Sequence, residues 1–261
     1  MRWSVLGTQF CLEIAFGVLL ALAFVPKAPV GTLFYRVMGT AAFLPILIAL
    51  IAPVWTGLAS WNDPAVLATS IAALAYPIYS GPFRGRRWAI GLGLALVGCG
   101  AAVVFSLQAS TLVDGAGPLL LAGLSALSTG AVAGSVGLAM VLGHWYLTVP
   151  NLQVRHLRRL NRVTVVTMLV SLLLVGLTCL TFGDPLNDGE QPLFGATGLM
   201  FLGTRVTVGL VMPLAFAGMT AGSLKYSNTR SATGILYAST VLVLIGAAVS
   251  ISLQDHYGIP L

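Results

Sequence analysis

The stretch from Arg84 to Leu107, RGRRWAIGLGLALVGCGAAVVFSL, carries the pattern that decides the fold: three arginines, then a long apolar run. From Trp88 onward the run holds no charge and no proline. A spanning helix needs roughly 20 apolar residues, so this run is long enough to cross a bilayer. The same alternation fills the 261-residue chain, which is 57% hydrophobic and 8% charged, with a mean hydropathy of +0.96. That composition is wrong for a water-soluble core and reads as an all-α polytopic membrane protein. After short loops are subtracted, there is room for about eight spans. No length remains for a soluble nucleotide-binding domain, a nucleic-acid reader or a secreted disulfide scaffold, so residues 1–261 form a single membrane domain.

Working outward from Arg84, the apolar runs place spans at 4–25, 36–60, 64–82, 88–108, 118–146, 161–182, 196–222 and 231–253. Turn and charge signals separate them, including Pro26 and Pro29, Asn62-Asp63-Pro64, and Gly81-Pro82 before the arginines. The N-terminal run resembles a signal peptide in having Arg2 before it and Ala21-Leu22-Ala23 at its end. Glu13 interrupts it, however, and it is read as the first span. Cys11, Cys99 and Cys179 lie within apolar segments without paired spacing and read as packing residues.

The net charge of +6 belongs to loops rather than to a nucleic-acid surface. Lys27, Arg36, Arg84, Arg86, Arg87, Arg155, Arg158, Arg159, Arg162, Lys225 and Arg230 fall on one side of the eight-span map. Asp63, Asp114, Asp184, Asp188, Glu190 and Asp255 fall on the other. The positive-inside rule makes the first side cytoplasmic and puts both termini outside, in a bacterial-type cytoplasmic (inner) membrane. The chain also reads as two halves, 1–110 and 115–261. Gly17, Pro29 and Arg36 in the first are spaced much like Gly137, Pro150 and Arg158 in the second. With four spans each, such halves would be parallel repeats.

Glu13 and Arg205 are the charged residues that lie inside spans, each about 14 Å from the outer surface at 1.5 Å per residue. A lone charge at such a depth costs roughly 2.5 to 3.5 kcal/mol, so the two are expected to pair. The functional reading is a quinone-head, proton or substrate site, assisted by Gln9, Thr8, Thr204 and Thr207; the structural one is an ion pair that fixes packing. His144 falls at the cytoplasmic interface, with Trp145 and Tyr146 beside it as belt aromatics, and could meet a partner subunit or a quinone. His156 and His256 give it no facing histidine at one depth, so the chain itself is expected to hold neither haem nor metal. Gly130 and Gly134, like Gly91, Gly93, Gly98 and Gly100, signal close helix packing. Pro45, Pro53, Pro77 and Pro213 signal kinks. The exterior segment from Gly183 to Gly195 is the longest outer loop and the expected docking surface. No Walker loop, nucleophile elbow or glycosylation sequon is present in the sequence.

Thr204-Arg205-Val206-Thr207-Val208-Gly209-Leu210, and the run from Ala232 to Gly246 ending Val243-Leu244-Ile245-Gly246, resemble the closing helices of NrfD-like membrane anchors of the dimethyl-sulfoxide and polysulfide reductase type. The chain lacks the histidine-leucine-glycine turn that many of those anchors carry after their second span. The resemblance implies a haem-free integral subunit that exchanges quinol electrons with exterior-side redox partners, within the lipid bilayer and without nucleic acid. A secondary transporter using Glu13 and Arg205, or a structural or assembly subunit, are the alternative readings.

Overall fold

A computed structural model describes residues 3–108, 115–149, 152–188 and 191–261, and among these the chain is all-helical. The helices are α1 (Trp3–Leu22), α2 (Lys27–Val30), α3 (Thr32–Trp55), α4 (Pro64–Leu74), α5 (Tyr76–Ser80), α6 (Gly85–Leu107), α7 (Ala116–Thr148), α8 (Arg155–Thr181), α9 (Gly183–Asn187), α10 (Ala196–Val206), α11 (Met212–Lys225) and α12 (Thr229–Tyr257). A π-helical turn, Thr207–Val211, joins α10 to α11 in one continuous rod. Among the described residues, six helices are long and apolar enough to cross a membrane: α3, α6, α7, α8, the Ala196–Lys225 rod and α12. The apolar stretches Leu6–Leu22 and Pro64–Ser80 are shorter.

The differences from the sequence reading have local causes. The expected span 64–82 is broken at Ala75, because Pro77 has no N–H to give to the preceding turn and the chain restarts at Tyr76. In contrast, α3 runs on through Pro45 and Pro53. The basic segment before residue 161 is not loop but the first turns of α8, since arginine and leucine are good helix formers and long cationic side chains can reach the interface from a helix.

Two groups of helices pack in the same pattern. In the first, α1 and the α4–α5 pair each contact both α3 and α6; in the second, α7 and the α10–α11 rod each contact both α8 and α12. The groups meet mainly where α1 lies on α7, the most buried of the six long helices. Glycine makes that seam. A Cβ on Gly17 would lie 1.7 Å from the Gly130 carbonyl oxygen, and one on Gly134 would lie 1.9 Å from the Gly17 carbonyl carbon. A Cβ on Gly130 would meet the Glu13 carbonyl oxygen at 2.1 Å. Because Glu13 meets Gly130 and Gly17 meets Gly134, the two helices run parallel. The small-residue spacing at Gly130 and Gly134 therefore does what its pattern suggests, bringing backbone against backbone.

One end of the bundle gathers basic residues. Lys27 Nζ donates to the carbonyls of Gly81 and, at 2.7 Å, Phe83, capping the turn after α5. Burial holds its ammonium below the usual lysine range, and the neighbouring Arg84 guanidinium adds to the effect. Arg158 donates to the Leu224 carbonyl at 2.6 Å near the end of α11, and Arg159 sits 5.8 Å from the Phe24 ring centre. Asp63, Asp184, Asp188 and Asp255 belong to the opposite end, at the start of α4, in and after α9, and in the last turns of α12. Asp114, Pro150 and Glu190 lie outside the described residues. Large apolar side chains such as Leu33, Val37, Leu44, Ile48 and Ile51 form an exposed stripe along α3, as a lipid-facing surface would.

Candidate functional site

Glu13 on α1 and Arg205 on α10 are almost wholly buried, at 2% and 1% exposure. They lie near enough for each to feel the other's charge, yet they form no direct ion pair. The expected pairing is thus corrected in its geometry: Glu13 is held by a side-chain amide, and Arg205 by hydroxyl and main-chain oxygens. Glu13 accepts from Gln9 Nε2 at 2.8 Å, one helical turn away on α1. Gln9 and Gln254 of α12 exchange side-chain amide bonds of 2.7 and 2.6 Å. Arg205 donates from Nε to the Leu261 main-chain oxygen at 3.1 Å, and from Nη2 to Thr129 Oγ1 at 2.7 Å and Ser171 Oγ at 3.2 Å. The Ser250 hydroxyl also donates to that Leu261 oxygen.

The fold brings these groups together by specific local devices. Glu13 is placed against α7 by the Gly17–Gly130–Gly134 seam. The π-helical turn starts two residues after Arg205, and Pro213 just beyond it cannot donate to a preceding carbonyl. Within that wider turn Gly209 meets Gly246 of α12; a Cβ on Gly209 would lie 2.6 Å from the Gly246 Cα. Beyond α12, Gly258 takes φ 72°, a left-handed cap that turns residues 259–261 back into the bundle. Ile259 and Leu261 are buried there with Leu186 and Leu193 from the expected exterior loop. That loop is folded down, with α9 inside it and the Leu193 N–H bonded to the Leu186 carbonyl at 2.9 Å. Gly189 and Glu190 within it lie outside the described residues.

Of the residues singled out in the sequence, Glu13, Gln9 and Arg205 share this cluster. Thr204 and Thr207 do not: their hydroxyls donate to the carbonyls of Met200 at 2.8 Å and Gly203 at 2.6 Å, and Thr207 is exposed. Thr8 faces a separate apolar cavity of about 210 Å³, shared with Leu12, Pro53, Val66, Thr69 and Phe105. Sequence reasoning missed Thr129, Ser171, Ser250 and Gln254. Their signal was a lone polar side chain in an apolar helix, which is common and usually satisfied by its own backbone.

His144 is exposed at the basic end, its Nδ1 3.4 Å from Tyr237 Oη. Trp145 is half-buried and packs edge-on to Phe34, ring centres 5.5 Å apart, while Tyr146 donates to the Gln153 carbonyl. The three are therefore spread between surface and core and form no single face. Among the described residues, no group of three His, Cys, Asp or Glu side chains stands close enough to hold a metal ion. Comparison with known proteins finds no matching family model, no similar curated protein and no similar solved structure.

Proposed function

We propose that the chain is an integral membrane subunit of an electron-transfer complex, in which Glu13 serves as a proton acceptor for chemistry in the outer half of the bilayer. The chain crosses the membrane eight times as two parallel four-helix units, with α1 and the α4–α5 pair completing the first unit and both termini outside. The observation that carries the reading is the state of Glu13: buried, held by a side-chain amide, and left without a direct cationic partner. A carboxylate locked to arginine has little reason to take a proton, whereas one bound only by an amide can exchange it. The reciprocal Gln9–Gln254 pair links it to half-buried Gln254 near the outer end. A quinone is the redox partner whose chemistry needs such a group, because its reduction and oxidation move protons with electrons.

Transport is the second reading, favoured by the parallel arrangement of α1 and α7, which suits repeats that rock against each other. Against it, the seam between the two groups has backbone in contact with backbone at the depth of Glu13, where a rocking transporter would have to part. Isolation of the native protein in mild detergent tests the choice. Co-purifying redox subunits with bound quinone, and a loss of quinol turnover in an assembled Glu13→Gln complex, are expected. A chain that purifies alone and carries a solute into vesicles would overturn the electron-transfer reading. Cysteine labelling tests the topology: positions 86 and 158 should react from the cytoplasm and 63 from outside, and outside reactivity at 158 would overturn the map.

A further inference from the structure

A groove of about 440 Å³ opens on the bundle surface between the end of α1 and the start of α8. Leu20, Phe24, Val163 and Val166 give it apolar walls, and Arg159 and Arg162 stand at its rim. Both arginines are exposed and one turn apart on α8, with exposed Arg155 one turn before them. Val166 lies seven residues beyond Arg159, so the walls run on the order of 10 Å from the charged rim toward the middle of the bundle. The Phe24 ring lies 5.8 Å from the Arg159 guanidinium and holds it beside the groove. The carboxylates of the described residues are Glu13, buried in the cluster, and four aspartates of the opposite end, so none neutralises this rim.

We propose that this groove is a binding site for an anionic phospholipid. The phosphate sits between Arg159 and Arg162, and an acyl chain lies along Leu20, Val163 and Val166. A basic rim over an apolar channel at the end of a membrane helix matches a lipid's two-part chemistry: the arginines supply paired donors for phosphate oxygens, and the valines replace neighbouring acyl chains. Free phosphate would satisfy the rim and leave the walls empty. The site rests on the chain spanning the bilayer and is independent of the electron-transfer reading.

Native mass spectrometry of the purified full chain, released from detergent with added lipid, tests it. Phosphatidylglycerol should be retained over phosphatidylcholine of the same acyl length, and R159Q/R162Q should cut that retention on the order of tenfold. Val166→Trp, which fills the groove and leaves the arginines in place, should also reduce it. R86Q/R87Q removes an equal charge from the same end and should leave it nearly unchanged. Each variant is first checked for an unchanged thermal unfolding profile in detergent, and Val166→Ala replaces Val166→Trp where the larger residue disturbs folding. Equal losses in R159Q/R162Q and R86Q/R87Q would overturn the site in favour of diffuse surface charge. Full competition by inorganic phosphate, with no effect of Val166 substitution, would overturn the lipid and leave a simple anion site.

Discussion

Where α8 begins, Arg155, Arg158, Arg159 and Arg162 crowd into two turns and stay exposed; at the depth of Glu13, Arg205 is 1% exposed and meets three oxygens from three different parts of the chain. The same side chain is handled in two ways because its surroundings differ. At the bundle end a guanidinium keeps most of its hydration and can reach lipid headgroups, so a single protein contact is enough, the Leu224 carbonyl for Arg158 and the Phe24 ring for Arg159. Inside, a buried guanidinium gives up its bulk hydration, and each donor left without an acceptor costs about 1 to 3 kcal/mol or more for a charged group. Buried charge therefore recruits distant segments, here α7, α8 and residues 259–261, and ties them into one unit. Exposed charge ties its neighbours only by single contacts, as Arg158 does with the Leu224 carbonyl.

The most damaging way to break this arrangement is to separate the helices that place Glu13. Gly130→Leu puts side-chain atoms where the Glu13 backbone lies, and backbone cannot yield as a side-chain tip can. A loss of about 3 kcal/mol or more is expected, seen as failure to recover folded protein or as a large fall in the unfolding midpoint in mixed micelles. Gly93→Leu, at a glycine with open space around it, is the matched control and should be mild.

Next in size is Arg205→Met, which takes the guanidinium from Thr129 and Ser171 and leaves the Leu261 oxygen with the Ser250 hydroxyl alone. An expected loss of about 2 to 4 kcal/mol contrasts with about 0 to 1 kcal/mol for Arg159→Met at the exposed end. Equal losses at the two positions would break the comparison. Because Glu13 and Arg205 are not directly bonded, a double-mutant cycle between them should give a coupling of about 1 kcal/mol or less. A coupling several times larger would restore the direct pair.

Glu13 itself sharpens the distinction between holding the fold and moving a proton. Glu13→Gln keeps an oxygen to accept from Gln9 and should cost under about 1 kcal/mol, whereas Glu13→Leu leaves one of the two Gln9 amide N–H groups without an acceptor and should cost about 1 to 3 kcal/mol. If the proposed electron-transfer role holds, quinol turnover should fall in both variants. A fall only in the leucine variant would make Glu13 a packing group.

Much of this could be read in the chain. Apolar runs broken at Pro26, Asn62 to Pro64 and Gly81-Pro82 placed the helices to within several residues, and the glycines at 130 and 134 marked the tightest contact. Glu13, Gln9 and Arg205 stood out because charge and amide are rare in such runs. What stayed hidden depends on the three-dimensional path. The break at Ala75 follows from Pro77 but not from Pro45 or Pro53, which α3 tolerates. The partners of Arg205 come from residues 129, 171 and 261, and no spacing rule links them. The fold-back after Gly258 and the packed loop around Leu193 depend on tertiary burial rather than on local pattern.

Thr204 and Thr207 give the smallest expected effect and the finest test. Their nearness to Arg205 in sequence made them natural members of its site, but on an α-helix adjacent positions point about 100° apart. Each hydroxyl is engaged by a carbonyl four residues earlier, and Thr207 is exposed on the outer side of the rod where the bilayer would lie. A threonine so placed exchanges only an internal bond when replaced by its isostere. Thr204→Val and Thr207→Val should each change stability by less than about 0.5 kcal/mol. By contrast, Thr129→Val removes an acceptor from a buried guanidinium and should cost about 1.5 to 3 kcal/mol. If Thr207→Val proved as harmful as Thr129→Val, the face of the rod presented to Glu13 would be wrong, and with it the assignment of Thr129 and Ser171 as the partners of Arg205.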